Sequence, residues 1–498
     1  MDRKFAEERI NVIKEYAQKN DIKAFYSLIE ETMKDEALSK DIGLLIETGV
    51  SFVSLNKFSE GKEFFLKALD INPRDEYALK GLVKALFFLQ DYDCTKKYIG
   101  YLLENFHAEK QYFMQFIQQA VELMYQYKNL NDYKNLEKIL GILRHICGKT
   151  HDKKIENILI NEIEIAQNKK RLTSMPRKLE LLVTSKCNIR CKMCNIPRGE
   201  WMFPESRNSE ILKLMPYLEE IIWHGGEPLL YPHIYDLIEE ASRNNVRQTI
   251  STNGLLLDEK NIKKLLAANV ELNVSIHGLD KKTYESIHIN GDFDKLISNL
   301  SLIKKLMSES ANKIKYGFKF LLMKNNYKQM PYIYNFVKQY GFNHVYINVL
   351  DEFTVSDEKI LYYGKDRDIL EKIIQMSDSL REKLKEINVF YEAWIPDINE
   401  PACNDEKNND DVKIIKNKTG CYIPWKKMHV DMDGDVRNDC FCSNIVIGNI
   451  VKEDIENIWN GKRVLQVREN IINDGFDSAC ADGCINGRVP ENYLKSVR

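Results

Sequence analysis

Cys187, Cys191 and Cys194 stand at C-x3-C-x2-C spacing, directly after the apolar run Leu181-Leu-Val-Thr184. Three thiolates on one short loop hold three corners of a small metal cluster and leave a fourth metal without a protein ligand. Structural zinc sites close with four protein ligands, whereas catalytic metals keep one position free. The asymmetry points to a reaction centre. A zinc knuckle, or three unrelated buried thiols, is the rival reading.

A loop of this kind needs a rigid platform. From Leu179 onward, short apolar runs alternate with amphipathic segments, the pattern of a parallel α/β sheet. Strands are expected near residues 179–185, 220–224, 247–251, 270–276, 314–322 and 344–349. In parallel α/β barrels the chemistry gathers at the C-terminal ends of the strands, and the notable residues fall there. The second strand, Ile221-Ile-Trp-His224, runs into Gly225-Gly226-Glu227-Pro228. Glycines let two backbones approach closely, and a carboxylate beside them suits an ammonium donor. The third strand ends in Ser251-Thr-Asn253-Gly254 and the fourth in Asn273-Val-Ser275-Ile-His277-Gly278. Ser251, Asn253 and Ser275 are hydrogen-bonding groups for a ligand, or ordinary strand-ending turn residues. His277 is a candidate proton-transfer residue near neutral pH, with a plain hydrogen-bonded strand end as the alternative. Lys319 and Lys324, near the end of the fifth strand, can approach a carboxylate, although lysines in such places are usually solvated.

Six of the eleven cysteines fall in the last hundred residues: Cys403, Cys421, Cys440, Cys442, Cys480 and Cys484. In a cytosolic chain such clustering favours metal ligation over disulfides. Cys94 and Cys147 read as small buried hydrophobes. The stretch Asn404–Thr419 is rich in Asn, Asp and Lys and reads as a flexible loop. Beyond it come Cys421, a hairpin turning at Asp433-Gly434, Cys440-Phe-Cys442, Ile447-Gly-Asn-Ile450, a helix carrying Ile455, Ile458 and Trp459, and Cys480-Ala-Asp-Gly-Cys484.

The cysteine loop followed one strand later by Gly-Gly-Glu resembles the radical S-adenosylmethionine (radical SAM) enzymes. The resemblance implies a 4Fe–4S cluster on Cys187, Cys191 and Cys194, whose unique iron chelates S-adenosylmethionine. It also implies contacts to that cofactor from Gly225, Gly226, Glu227, Ser251, Asn253 and Ser275. Many members have an aromatic before the last cysteine; here it is Met193, whose thioether can still shield a cluster. In several peptide-modifying relatives an aspartate occupies the position of His277. The order of the C-terminal features resembles SPASM/twitch extensions, which hold auxiliary iron–sulfur clusters. One auxiliary 4Fe–4S cluster is implied, on Cys421, Cys440 or Cys442, Cys480 and Cys484, with Cys403 free or an extra ligand. Five residues separate Gly434 from Cys440 where four are common, so the choice between Cys440 and Cys442 stays open. A structural zinc ribbon is the rival.

The first third of the chain has few glycines, prolines or strand-like alternations. A shift of 34 superposes Leu55-Asn-Lys-Phe58 on Leu89-Gln-Asp-Tyr92, and Ala68-Leu69 on Leu102-Leu103; a drifted copy starts near Leu130-Asn-Asp-Tyr133. The stretch from Phe58 to Pro73 resembles a tetratricopeptide repeat, whose period this is. Four to seven helices stacked as antiparallel pairs are expected. The array is a grip for a peptide or protein, or a structural cap.

The 498 residues therefore divide into an all-α helical-repeat domain (1–172), a partial (β/α)6 TIM-like barrel (173–396) and a small Cys-rich α+β cluster domain (397–498). Lys plus Arg (72) balances Asp plus Glu (74), so no global charge draws the chain to nucleic acid or anionic lipid. No apolar run reaches the length of a membrane span, and a cytoplasmic location is expected. The resemblance implies hydrogen-atom abstraction by a 5′-deoxyadenosyl radical, with a flavodoxin- or ferredoxin-type reductant. The first reading of the substrate is a peptide or protein side chain. The second is dehydrogenation or epimerisation of a small molecule such as a sugar. A third, from another class, is an interaction protein whose barrel has lost catalysis.

Overall fold

The computed structural model describes residues 3–106, 110–197, 199–350, 357–360, 366–396, 421–439, 442, 444–475 and 480. The expectations for Cys403, Cys440, Cys484 and the Asn404–Thr419 loop lie outside them. The chain forms two compact units, residues 1–169 and 170–498.

The first unit is all helical among the described residues: α1 (Arg3–Gln18), α2 (Ile22–Lys34), α3 (Ile42–Ser54), α4 (Phe58–Ile71), α5 (Glu76–Phe88), α6 (Tyr92–Asn105), α7 (Lys110–Asn129), α8 (Tyr133–Cys147) and α9 (Lys153–Ala166). Nine helices replace the expected four to seven. The extra helices come from a turn device too short to carry a periodicity signal. Asn20, Asn56, Gln90 and Asn131 all take left-handed φ, the conformation that ends a helical turn. An N-capping aspartate follows in three cases: Asp21 accepts the Ala24 N–H, Asp91 that of Cys94 and Asp132 that of Asn135. The 34-residue shift is literal in the middle of the unit. Helices α3 and α5 start at residues 42 and 76, and α4 and α6 at 58 and 92. Phe65 is wedged between Gly49 and Gly81, where an added Cβ would sit 2.7 and 2.3 Å from its ring.

The second unit is built on one ten-stranded sheet. Its strands are β1 (Lys178–Thr184), β3 (Glu220–Gly225), β4 (Arg247–Thr252), β5 (Glu271–Ser275), β7 (Tyr316–Leu322), β8 (His344–Val349), β9 (Phe390–Trp394), β10 (Lys427–Val430), β11 (Asp435–Arg437) and β12 (Gly448–Asn449). Strands β2 (Arg190–Cys191) and β6 (His288–Ile289) form a separate antiparallel pair. The large sheet runs β12-β11-β10-β1-β3-β4-β5-β7-β8-β9, and all pairings from β10 to β9 are parallel. The six expected strands are its centre.

Two additions extend that core. Strand β9 continues it beyond β8, and β10, from the Cys-rich region, pairs with the free edge of β1. Amphipathic helices cover the outer face; Ile234–Arg243 buries Ile234, Leu237, Ile238 and Ala241 on one stripe. On the same face lies Trp223, fully buried, its indole N–H donating to Gln248 Oε1 at 3.0 Å, while the Gln248 amide donates to the Ile238 carbonyl of that helix at 2.9 Å. Burying one such side chain is worth about 1.5–3 kcal/mol. The hairpin turns as expected, with Asp433 and Gly434 both at positive φ between β10 and β11. No helix among the described residues is long and apolar enough to cross a membrane.

Candidate metal centre

The cysteine loop leaves the end of β1 and is tied down at its root. Thr184 Oγ1 and the Ser185 N–H donate to the Trp201 carbonyl at 2.8 and 3.0 Å, and the Trp201 N–H returns to Ser185 Oγ at 3.1 Å. Beside it, the end of β3 passes at near backbone contact. Gly225 sits at φ +139°, and a Cβ there would lie 2.3 Å from the Thr184 carbonyl; one on Gly226 would lie 2.2 Å from that of Lys186. The Gly226 and Glu227 N–H groups donate to those same carbonyls at 2.7 and 2.8 Å. Only glycine permits this approach.

Farther along, the loop becomes β2, which pairs with β6 so that Cys191 stands opposite His288. The Lys192 N–H donates to the Ile287 carbonyl at 3.1 Å, and the Cys194 N–H to the Cys191 carbonyl at 3.3 Å. Met193 is buried with Ile287, Met323 and Leu350, and Cys191 packs against the same group. This is an apolar wall on one side of the loop.

The three cysteines line one cavity of about 270 Å³, together with Gly225, Gly226, Ser251, Asn253, Ser275 and His277. Six residues from the strand ends thus share one hollow with the thiols. Asn253 reaches back to the loop, its Nδ2 donating to Asn188 Oδ1 at 2.8 Å and approaching Cys187 Sγ at 3.9 Å.

Glu227 does not line the cavity. Its fully buried carboxylate accepts from Thr252 Oγ1 at 2.9 Å, from the Asn253 N–H at 2.8 Å and from the Leu229 N–H at 3.2 Å. Burial raises its pKa to about 7 despite these three donors. The side chain braces the strand ends from behind.

His277 lines the cavity as a neutral ring. Its Nδ1 accepts the Leu321 N–H at 3.1 Å, so Nε2 carries the proton. Burial, then the neighbouring His288, holds its pKa well below the ordinary range. That arrangement suits a hydrogen-bond donor more than a proton acceptor. The two lysines separate: Lys324 pairs with Asp366 at 2.9 Å, while Lys319 is half-buried and donates to Ser251 Oγ at 3.1 Å.

Sequence reasoning missed His288, the partner of Cys191. No local signal marks it, because the contact is made by pairing of two short strands remote in sequence.

The donor set suits a cluster. Burial pushes Cys191 up to about 12, and the neighbouring Cys194 and Cys187 sulfurs push the same way. Burial also raises Cys187. Three thiolates around one hollow therefore repel one another until a positive core lies between them. Among the described residues no three of His, Cys, Asp and Glu are placed to hold a single metal ion. The three thiols line one hollow.

In the Cys-rich region, Cys421, Cys442 and Cys480 are half-buried. The Cys442 N–H donates to the Asp439 carbonyl at 3.0 Å. A charged chain leads from there into the barrel. Lys427 bridges Asp439 and Glu180, 2.6 Å to each, and His429 Nδ1 meets the other Glu180 oxygen at 3.0 Å. Burial works to raise the Glu180 pKa, but these partners together hold it at about 2.

Residues 181–321 match the radical SAM superfamily, and residues 421–485 match SPASM, an iron–sulfur cluster-binding domain. The chain is 26% identical over 211 residues to the probable GTP 3′,8-cyclase of Methanocaldococcus jannaschii, covering 41% of this chain and 68% of that one. It is 28% identical over 144 residues to the AdoMet-dependent heme synthase of Methanosarcina barkeri, covering 27% of this chain and 41% of that relative, less than half its length. Among solved structures, Streptococcus suis SuiB aligns over 84% of this chain and 93% of its own, with 14% identity and a TM-score of 0.49.

Proposed function

From a chain that carries a radical SAM domain and a SPASM iron–sulfur domain, we propose an enzyme that abstracts a hydrogen atom to modify a peptide or protein side chain. Bound at this site, a 4Fe–4S cluster supplies the electron that cleaves S-adenosylmethionine to a 5′-deoxyadenosyl radical. The observation that carries the reading is one cavity lined both by Cys187, Cys191 and Cys194 and by four strand-end residues, Gly225, Gly226, Ser251 and Ser275.

The roles divide by chemistry. The three cysteines hold the cluster. Gly225 and Gly226 offer bare backbone to the cofactor, and Ser251, Asn253 and Ser275 offer hydrogen bonds. Glu227 keeps the Thr252–Asn253 segment in place, and Met193 with its apolar neighbours excludes water beside Cys191. In the second domain, Cys421, Cys480 and Cys442 or Cys440, with Cys484, hold an auxiliary cluster. A flavodoxin- or ferredoxin-type protein delivers the electron.

The peptide reading is supported by the helical hairpins of residues 1–169, a type of array whose grooves suit extended or helical chains. A small-molecule substrate is the second reading, favoured by the names of the two curated relatives, a GTP cyclase and a heme synthase. Deuterium transfer separates them. The reconstituted enzyme is incubated with S-adenosylmethionine and extracts of deuterium-grown cells, split by size. Deuterated 5′-deoxyadenosine from the peptide and protein fraction supports the first reading, and from the small-molecule fraction alone the second.

A further inference from the structure

The pairing of β2 with β6 sets a histidine ring against one of the three loop sulfurs. His288 is 1% exposed, its Nδ1 lies 3.1 Å from Cys191 Sγ, and its Nε2 lies 3.2 Å from the His277 main-chain nitrogen. The second contact decides the direction of the first. A main-chain N–H can only donate, so Nε2 is the unprotonated acceptor, and the proton of the neutral ring is on Nδ1. A Cys191 S–H donating to Nδ1 would force a proton onto Nε2, against the His277 N–H. The ring is therefore a donor to sulfur.

Its orientation is fixed from both faces. Tyr284 stacks on it with centroids 4.4 Å apart, and the His277 ring stacks at 5.0 Å. Hydrogen bonds to ligand sulfurs tune the potential of iron–sulfur clusters, because they stabilise the reduced, more negative state.

We propose that His288 is a positioning residue of the SAM-binding cluster, whose Nδ1–H donates to the Cys191 sulfur and makes that cluster easier to reduce. The proposal rests on Cys191 being a cluster ligand.

The test is an EPR-monitored redox titration of the reconstituted full chain, in which the SAM-binding cluster is recognised by the change of its signal when S-adenosylmethionine is added. In His288→Phe, which keeps a ring for Tyr284 and loses the donor, the midpoint of that cluster moves to more negative potential and the auxiliary cluster does not move. In His288→Asn, whose amide nitrogen stands near the place of Nδ1, most of the shift is restored. An unchanged midpoint in His288→Phe, or an equal shift in both variants, overturns the proposal. Native enzyme grown on isotopically labelled histidine gives a measurement free of any folding defect. A histidine nitrogen coupling on the SAM-responsive signal is expected, and its absence overturns the proposal. The ligand reading fails separately, if Cys191→Ala retains the SAM-responsive signal.

Discussion

Glu227 accepts the main-chain N–H of Asn253 at 2.8 Å, tying the end of one parallel strand to the end of the next. The same carboxylate takes the Thr252 hydroxyl at 2.9 Å. Removing it leaves buried donors unmatched, at a cost of about 1–3 kcal/mol each. Glu227→Ala is expected to weaken S-adenosylmethionine binding by about tenfold or more while the iron content is kept. Calorimetric titration of the reconstituted protein checks this, and native affinity in the variant would remove the bracing role.

Glu227 also carries a pH signature. Its folded pKa, about 7, lies above the ordinary 4.5 because burial outweighs its three donors. A raised acid contributes stability that is complete below the unfolded value and is lost as pH rises through the folded one. Between pH 4.5 and 7 this amounts to about 3 kcal/mol at 1.36 kcal/mol per unit. Denaturant titrations of the protein and of Glu227→Gln should therefore show the native advantage shrinking with rising pH in that window. A difference constant with pH would contradict the assignment.

Gly225 is expected to resist replacement by any residue with a Cβ. In Gly225→Ala that atom meets the Thr184 carbonyl at 2.3 Å, at a φ of +139°, and the strain alone costs about 1–3 kcal/mol. Iron loading on the loop should fall with it. Gly141, inside α8 with nothing within 4 Å of a built Cβ, is the control. There alanine should stabilise by about 0.5–1 kcal/mol. Thermal unfolding and iron content measured on both variants read the contrast.

Lys427 joins the Cys-rich region to the barrel through Asp439 and Glu180, 2.6 Å from each. Truncating one member of a buried ion set leaves the others uncompensated, which typically costs about 3–5 kcal/mol. Lys427→Met should lose stability on that scale. Lys427→Met combined with Glu180→Gln and Asp439→Asn should recover part of it. Equal losses in the single and triple variants would show that packing, and not charge, holds this joint.

The strand ends were legible because their motifs are local: apolar runs stopping at Gly225-Gly226, Ser251-Thr-Asn253 and Ser275-Ile-His277 announce both a strand and its end. What those side chains do there was less legible. Glu227 reads as a ligand-facing acceptor, yet its carboxylate turns behind the cavity wall to meet main-chain donors that no pattern reveals. His288 was invisible because 97 residues separate it from Cys191 and only tertiary pairing joins them. The joining of β10 to the edge of β1 was hidden for the same reason. The helix count was too low because the turns at Asn20, Asn56, Gln90 and Asn131 take three residues each, too few to interrupt a helical periodicity.

The central claim is that Cys187, Cys191 and Cys194 hold a cluster that cleaves S-adenosylmethionine. Anaerobic reconstitution should give about eight irons per chain when both clusters form. Addition of a low-potential reductant and S-adenosylmethionine should then yield 5′-deoxyadenosine, and Cys191→Ala should yield none. Intact, reduced protein that forms no 5′-deoxyadenosine, or a Cys191→Ala variant that forms it at the native rate, would contradict the account.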